Sequence, residues 1–84
     1  MLKIIDDYKP TLEELQKMVG GNMEIMLLSN GDSLVINENG RMDNLNRKIL
    51  KHNPEATIIY HKNGGMRNMN IVGMAVLVKR GLLK

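Results

Sequence analysis

Between Pro10 and Gly21 the chain spells out a helix with both ends marked, and this segment constrains the fold more than any other. Thr11 stands where an N-cap belongs. Glu14, three residues later, is placed to bond back to the Thr11 amide, so that two otherwise orphaned donors are satisfied. Glu13 and Glu14 also occupy the first turn, where the helix dipole favours anions. Leu12, Leu15, Met18 and Val19 recur at helical spacing along one face. Gly20-Gly21 then ends the helix, because glycine takes the left-handed C-cap conformation without strain. The expected helix covers about residues 11–19.

Strand signals surround it. Leu2 to Ile5 is a short apolar run that reads as a first strand, and Asn22 to Ser29 alternates in part as a second. Asn30-Gly31 is the strongest short-range hairpin signal, since both turn positions tolerate positive φ. Ser33 to Asn37 returns as a strand, and Asn37-Glu38-Asn39-Gly40 is another turn. Asp43 is placed to cap a short helix with Leu45, Ile49 and Leu50 inward and Arg47, Lys48 and Lys51 outward. Asn53-Pro54-Glu55-Ala56 is a second helix start, with Asn as cap and Pro at the first helical position. The β-branched residues that follow pull toward a strand, but the cap signals favour a short helix over about residues 54–61. Lys62 to Asn68 is a glycine-containing loop. Asn70 to Lys79 is the last strand, interrupted at Gly73, where a bulge or a close backbone approach is expected. The expectation is an α+β fold: one domain over residues 1–84, built from a small antiparallel β-sheet, the helix at about 11–19 and the second short helix.

With no cysteine in 84 residues, disulfides, Cys-ligated zinc, iron–sulfur clusters and thiol catalysis are excluded. Phe and Trp are absent and eight Met help to fill the core, which makes it adaptable rather than sharply specified. A core this small points to a homo-oligomer. The longest apolar run, Ala75 to Val78, is far short of the ~20 residues of a membrane span. Asp6 and Asp7 directly after the first apolar stretch do not suit a secretory signal. A cytoplasmic protein without membrane partners is expected.

The net charge of +3 conceals a division. Residues 1–43 carry eight acids against four bases, whereas residues 44–84 carry eight bases against Glu55 alone. A basic half invites a phosphate-bearing or acidic partner. The alternative is that the two halves neutralise each other, within one chain or between copies.

Catalytic constellations are weak. Ser29 and Ser33 lack the strained elbow sequence of a nucleophile. Asp6-Asp7 and Glu13-Glu14 are adjacent pairs that do not share a helix face. His52 and His61 lack a metal-ligand spacing. No catalytic residue, metal or cofactor is expected, and the chain reads as a non-enzyme. Gly20-Gly21 follows a helix and so cannot offer a helix N-terminus to a phosphate. The loop Asn63-Gly64-Gly65-Met66-Arg67 suits an anion better, through backbone amides and Arg67, although a plain surface connection explains it too. Single-strand nucleic-acid binders interleave cations with stacking aromatics, and Tyr60 and Tyr8 are the only aromatics here.

A small anionic ligand of nucleotide type accounts for more of the residues. Such a pocket needs a ring, a few amide or hydroxyl groups and one or two cations. Asn37, Asn53, Thr57 and Tyr60 with Arg47, Lys48 and Arg67 supply those types, with an interface between subunits as the place to assemble them. Each also has a plainer role: Asn37 as a turn residue, Asn53 and Thr57 in a capped helix, Tyr60 as a core plug. The competing class is a protein–protein inhibitor, using a Met-rich surface or an open sheet edge.

Several segments together, LEELQKMVGGNMEIMLL (Leu12 to Leu28), LVINENG (Leu34 to Gly40), NPEATIIY (Asn53 to Tyr60) and IVGMAVLV (Ile71 to Val78), resemble a family of small proteins of unknown function found in phages and prophages. The resemblance runs in order over nearly the whole chain from Thr11. Met74 stands where that pattern usually has an acid, and residues 43–50 look like an insertion, which holds Arg47 and Lys48. The resemblance implies a phage or prophage accessory protein, a class in which small folded proteins often counter host defence, acting in the host cell cytoplasm. It implies no particular activity. The reading that follows is non-covalent sequestration of a nucleotide-type immune signalling molecule, such as a cyclic dinucleotide or a cyclic ADP-ribose isomer. Inhibition of a host defence protein is the second reading, and a small nucleic-acid-binding regulator the third.

Overall fold

A computed structural model of the chain describes residues 1–43 and 51–83. Its elements run β1 (Leu2–Ile5), α1 (Leu12–Val19), β2 (Met23–Leu27), β3 (Ser33–Asn37), β4 (Arg41–Asp43), α2 (Pro54–Lys62), β5 (Met69–Ile71) and β6 (Ala75–Val78). Four strands form one sheet in the order β1-β6-β3-β2, and β4 pairs with β5 in a separate two-stranded ribbon. The α+β arrangement is the expected one. The sheet is mixed, however: β2–β3 and β3–β6 are antiparallel, while β1 lies parallel to β6 with Leu2 opposite Ala75 and Ile5 opposite Val78. That pairing joins segments some seventy residues apart and leaves no local mark in the sequence.

The central strands are buried on both faces, because β6 is a continuous apolar run and β3 has apolar residues at three successive positions. On one face Val35, Val76 and Val78 pack with Ile5, and α1 covers them with Leu15 and Val19. On the other, Leu34, Ile36, Ala75 and Leu77 pack with Leu28 and Ile71, and with Ala56 and Tyr60 of α2. Two helices thus sandwich one sheet, which is how a short chain without disulfides buries apolar surface on both sides of each central strand. Burying one such Val, Leu or Ile fully is worth about 1.5–3 kcal/mol.

α1 forms as its sequence dictates. The Glu14 amide donates to Thr11 Oγ1 at 3.1 Å, and the Thr11 amide donates to Glu14 Oε1 at 2.9 Å. Gly20 closes the helix at φ +82°, with its amide on the Gln16 carbonyl at 3.0 Å. The β2–β3 hairpin is also present, but it turns through residues 28–32 and not through a two-residue type I′ turn. Gly31 alone there has positive φ, and no residue other than glycine does anywhere in the described chain. Asp32 explains the wider loop. Its side chain is drawn down into the protein, where its carboxylate accepts from the Arg80 amide at 2.8 Å and the Lys79 ammonium at 3.2 Å.

The expected last strand over 70–79 is two strands in two sheets. Between them Gly73 sits buried at φ +81°, and its amide donates to the Lys51 carbonyl at 2.6 Å. Only a residue at home in the left-handed region lets the chain leave the ribbon and enter the main sheet there. Asp43 lies in β4 rather than at a helix cap, and Lys51, expected on the outer face of that short helix, is in no helix; residues 44–50 fall outside the described residues.

Candidate functional site

α2 brings together most of the residues singled out from the sequence. Asn53 caps it, accepting from the Ala56 amide at 3.1 Å, with Pro54 in the first turn. Asn53 is fully buried, and its Nδ2 donates to the carbonyls of Met1 and Gly73, both at 2.8 Å. Thr57 is buried as well. Its Oγ1 donates to the Asn53 carbonyl at 2.8 Å, accepts from the Ile71 amide at 2.9 Å, and lies 3.4 Å from His52 Nε2. These two side chains hold α2, β5 and the Gly73 crossing together. Their polar groups are committed inside the fold, because a buried amide or hydroxyl left unpaired would cost more than any surface contact returns.

Tyr60 is 7% exposed and plugs the core against the main sheet. Gly65 lies directly on its ring: a Cβ there would come within 2.6 Å of ring carbons. The ring face is therefore covered by backbone and offers no platform for a base. Asn37 serves its turn. Its Oδ1 accepts from the Asn39 amide at 2.9 Å, and its Nδ2 donates to the Val19 carbonyl at 3.1 Å, tying β3 to the end of α1. Arg47 and Lys48 lie outside the described residues.

Arg67 is the residue that the fold leaves outward. It is exposed, and with His61 and Lys62 it lines an open cleft of about 420 Å³ at the C-terminal end of α2. Lys62 and Arg67 face no carboxylate partner among the described residues. The loop that carries Arg67 is well anchored. The Gly65 amide donates to the Tyr60 carbonyl at 2.8 Å, the Met69 amide to the Met66 carbonyl at 3.1 Å, and Asn63 Nδ2 to the Ile59 carbonyl at 2.9 Å. His61 Nε2 donates to the Met69 carbonyl at 2.8 Å, which fixes the ring between helix and loop. The Gly65 amide, one of the loop amides considered for an anion, is thus spent within the loop, as a plain surface connection would have it.

The cleft has one explanation that needs no ligand. A cation in the last turn of a helix complements the partial negative charge of its carbonyl end, and that covers Lys62. It does not cover Arg67, which lies beyond the helix, five residues past Lys62. His61 and Lys62 were not in the ligand set drawn from the sequence. Lys62 was legible only as part of the loop, and His61 only as an unsupported metal ligand. Among the described residues no group of three or more His, Asp or Glu is placed to hold a metal ion, and no helix is long and apolar enough to cross a membrane.

The basic second half is partly neutralised by the acidic first half. Lys79 and the Arg80 amide are engaged by Asp32, whereas the cleft cations are not so engaged. Comparison with known proteins finds no match among curated proteins or solved structures. A family model for a domain of unknown function, DUF3846, matches residues 2–81, and the chain belongs to that family.

Proposed function

We propose that this protein binds a phosphate-bearing small molecule non-covalently at the cleft lined by His61, Lys62 and Arg67. The observation that carries the reading is the pair of exposed cations, Lys62 and Arg67, converging on an open cleft without a carboxylate among the described residues to neutralise them. A guanidinium presents two parallel N–H groups to a phosphate, and an ammonium adds a mobile point charge. With Tyr60 enclosed, recognition would run through the phosphates rather than through stacking on that ring. The resemblance to phage and prophage proteins adds a setting. A nucleotide-type signalling molecule of host defence, a cyclic dinucleotide or a cyclic ADP-ribose isomer, is the ligand class, and sequestration is the mode of action in the host cytoplasm.

Titration calorimetry of the protein with inorganic phosphate, pyrophosphate, ADP-ribose, cyclic dinucleotides and cyclic ADP-ribose isomers tests the reading. Binding of at least one phosphate ester, lost in the double variant Lys62→Ala/Arg67→Ala, supports it. Absence of heat with every one of them removes it. A second reading, inhibition of a protein by strand addition, is favoured by one observation: β2 is an edge strand with Leu27 78% exposed.

A further inference from the structure

Among the described residues, the edge of β2 is not paired with another strand and carries exposed apolar side chains. Ile25 is 44% and Leu27 78% exposed, and both line a groove of about 290 Å³ with Gly31, Ser33, Gly81 and Leu83. The hydrogen bonds of the hairpin show which backbone groups face that edge. The Glu38 amide donates to the Asn22 carbonyl, and the Leu28 amide donates to the Asp32 carbonyl, at either end of the β2–β3 register. Bonded and non-bonded positions alternate in an antiparallel pair. Glu24 and Met26 therefore spend their backbone groups on β3, while Met23, Ile25 and Leu27 turn their N–H and C=O groups outward. The residues with outward backbone groups are also those whose side chains form the apolar row on the α1 face of the sheet.

Proteins commonly blunt such an edge with lysine, proline, a bulge or inward charge. β2 has none of the first three, and its single charge, Glu24, projects from the opposite face to the apolar row. The other edge strand, β1, carries an exposed Lys3.

We infer that β2 is a dimerisation edge, on which the β2 of a second copy pairs antiparallel about a twofold axis near Ile25. In that register Ile25 meets Ile25 of the other copy and Met23 meets Leu27, so each outward N–H and C=O finds a partner and the apolar rows of the two copies join. Glu24 falls opposite Met26, so no like charges are set directly opposite one another. The strand is thus its own complement in both backbone and side chains. The alternative, β2 of one copy on β1 of the next, leaves an open edge at each end and propagates into a filament; the twofold pairing closes.

Light scattering across a dilution series, with amide hydrogen exchange on the same samples, tests this. The expected particle has twice the 9.5 kDa chain mass and dissociates on dilution. On dissociation the amides of Met23, Ile25 and Leu27 lose protection, while those of Glu24 and Met26 keep theirs. Leu27→Lys, at a position too exposed to disturb folding, raises the dimer dissociation constant about tenfold or more. Ile58→Lys, on the exposed side of α2, leaves it unchanged. A monomer at every concentration, growth beyond a dimer, protection of the three outward amides that does not depend on concentration, or a dimer indifferent to Leu27→Lys each overturns the inference.

Discussion

Asn53 Nδ2 donates to the Gly73 carbonyl at 2.8 Å, joining the start of α2 to the point where the chain crosses from the β4–β5 ribbon into the main sheet. The same amide holds the Met1 carbonyl at 2.8 Å, and the Ala75 amide next to it also donates to Met1. One buried side chain thus ties the first strand, the crossing and the second helix.

Replacing Asn53 with alanine would remove the helix cap from the Ala56 amide and take the Asn53 donor from the buried Gly73 carbonyl, while the Met1 carbonyl keeps the Ala75 amide. The expected loss is about 2–4 kcal/mol, from a cap worth ~1 and one unsatisfied buried carbonyl at ~1–3. Asn53→Asp keeps the acceptor for Ala56 but turns a carboxylate toward two carbonyl oxygens, so it should not rescue the fold at neutral pH. Urea unfolding of both variants reads this out. Wild-type stability in the alanine variant would show that the cap and the latch contribute nothing, and in the aspartate variant that the latch contributes nothing.

Gly65→Ala should destabilise the protein by about 1–3 kcal/mol, as overpacking does in a filled site. The added methyl would sit 2.5 Å from the Tyr60 carbonyl oxygen and 2.6 Å from its ring. Backbone cannot yield there without loss of the Gly65–Tyr60 hydrogen bond. Thermal unfolding followed by circular dichroism is sufficient to detect the shift. Gly64→Ala, with open space at its Cβ, meets only the cost of its positive φ.

Acid should weaken the fold partly through Asp32. Burial alone would raise its pKa, but hydrogen bonds from the Arg80 amide, Lys79 and Asn30, with the charge of Lys79, outweigh burial and hold it below the ordinary 3.8. A carboxylate with a depressed folded-state pKa adds stability that is complete above the unfolded value and is lost as the pH falls through the folded one. The wild type should therefore lose stability faster than Asp32→Asn as pH drops below about 4. Parallel slopes in denaturation curves across that range would mean that Asp32 is not the group responsible.

At the cleft, Arg67→Ala and Lys62→Ala should each weaken a bound phosphate ester about tenfold or more, the scale of one charge-assisted hydrogen bond. Arg67→Lys should recover only part of the affinity, because an ammonium cannot make the paired contact of a guanidinium. Unchanged calorimetric affinity in both alanine variants would move the ligand elsewhere.

What the sequence determined by itself is local. The Thr11–Glu14 box, the Gly20 cap, the Asn53-Pro54 start and the β2–β3 hairpin rest on residues close in the chain; the first three formed where their signals stand, and the hairpin formed through a wider turn than Asn30-Gly31 alone implies. Even the Gly73 interruption was legible, although its consequence, a change of sheet, was not. The tertiary structure alone decided the parallel β1–β6 pairing, the burial of Asn53, Thr57 and Tyr60, and the outward position of Arg67 beside His61 and Lys62. The physical reason is the same in each case. Residue type states what a side chain can bond to, whereas burial decides whether those bonds are spent within the protein. Asn, Thr and Tyr suit a ligand pocket and a packed core equally well. Only the placement of α2 against the sheet assigned these three to the core and left Lys62 and Arg67 exposed at its end.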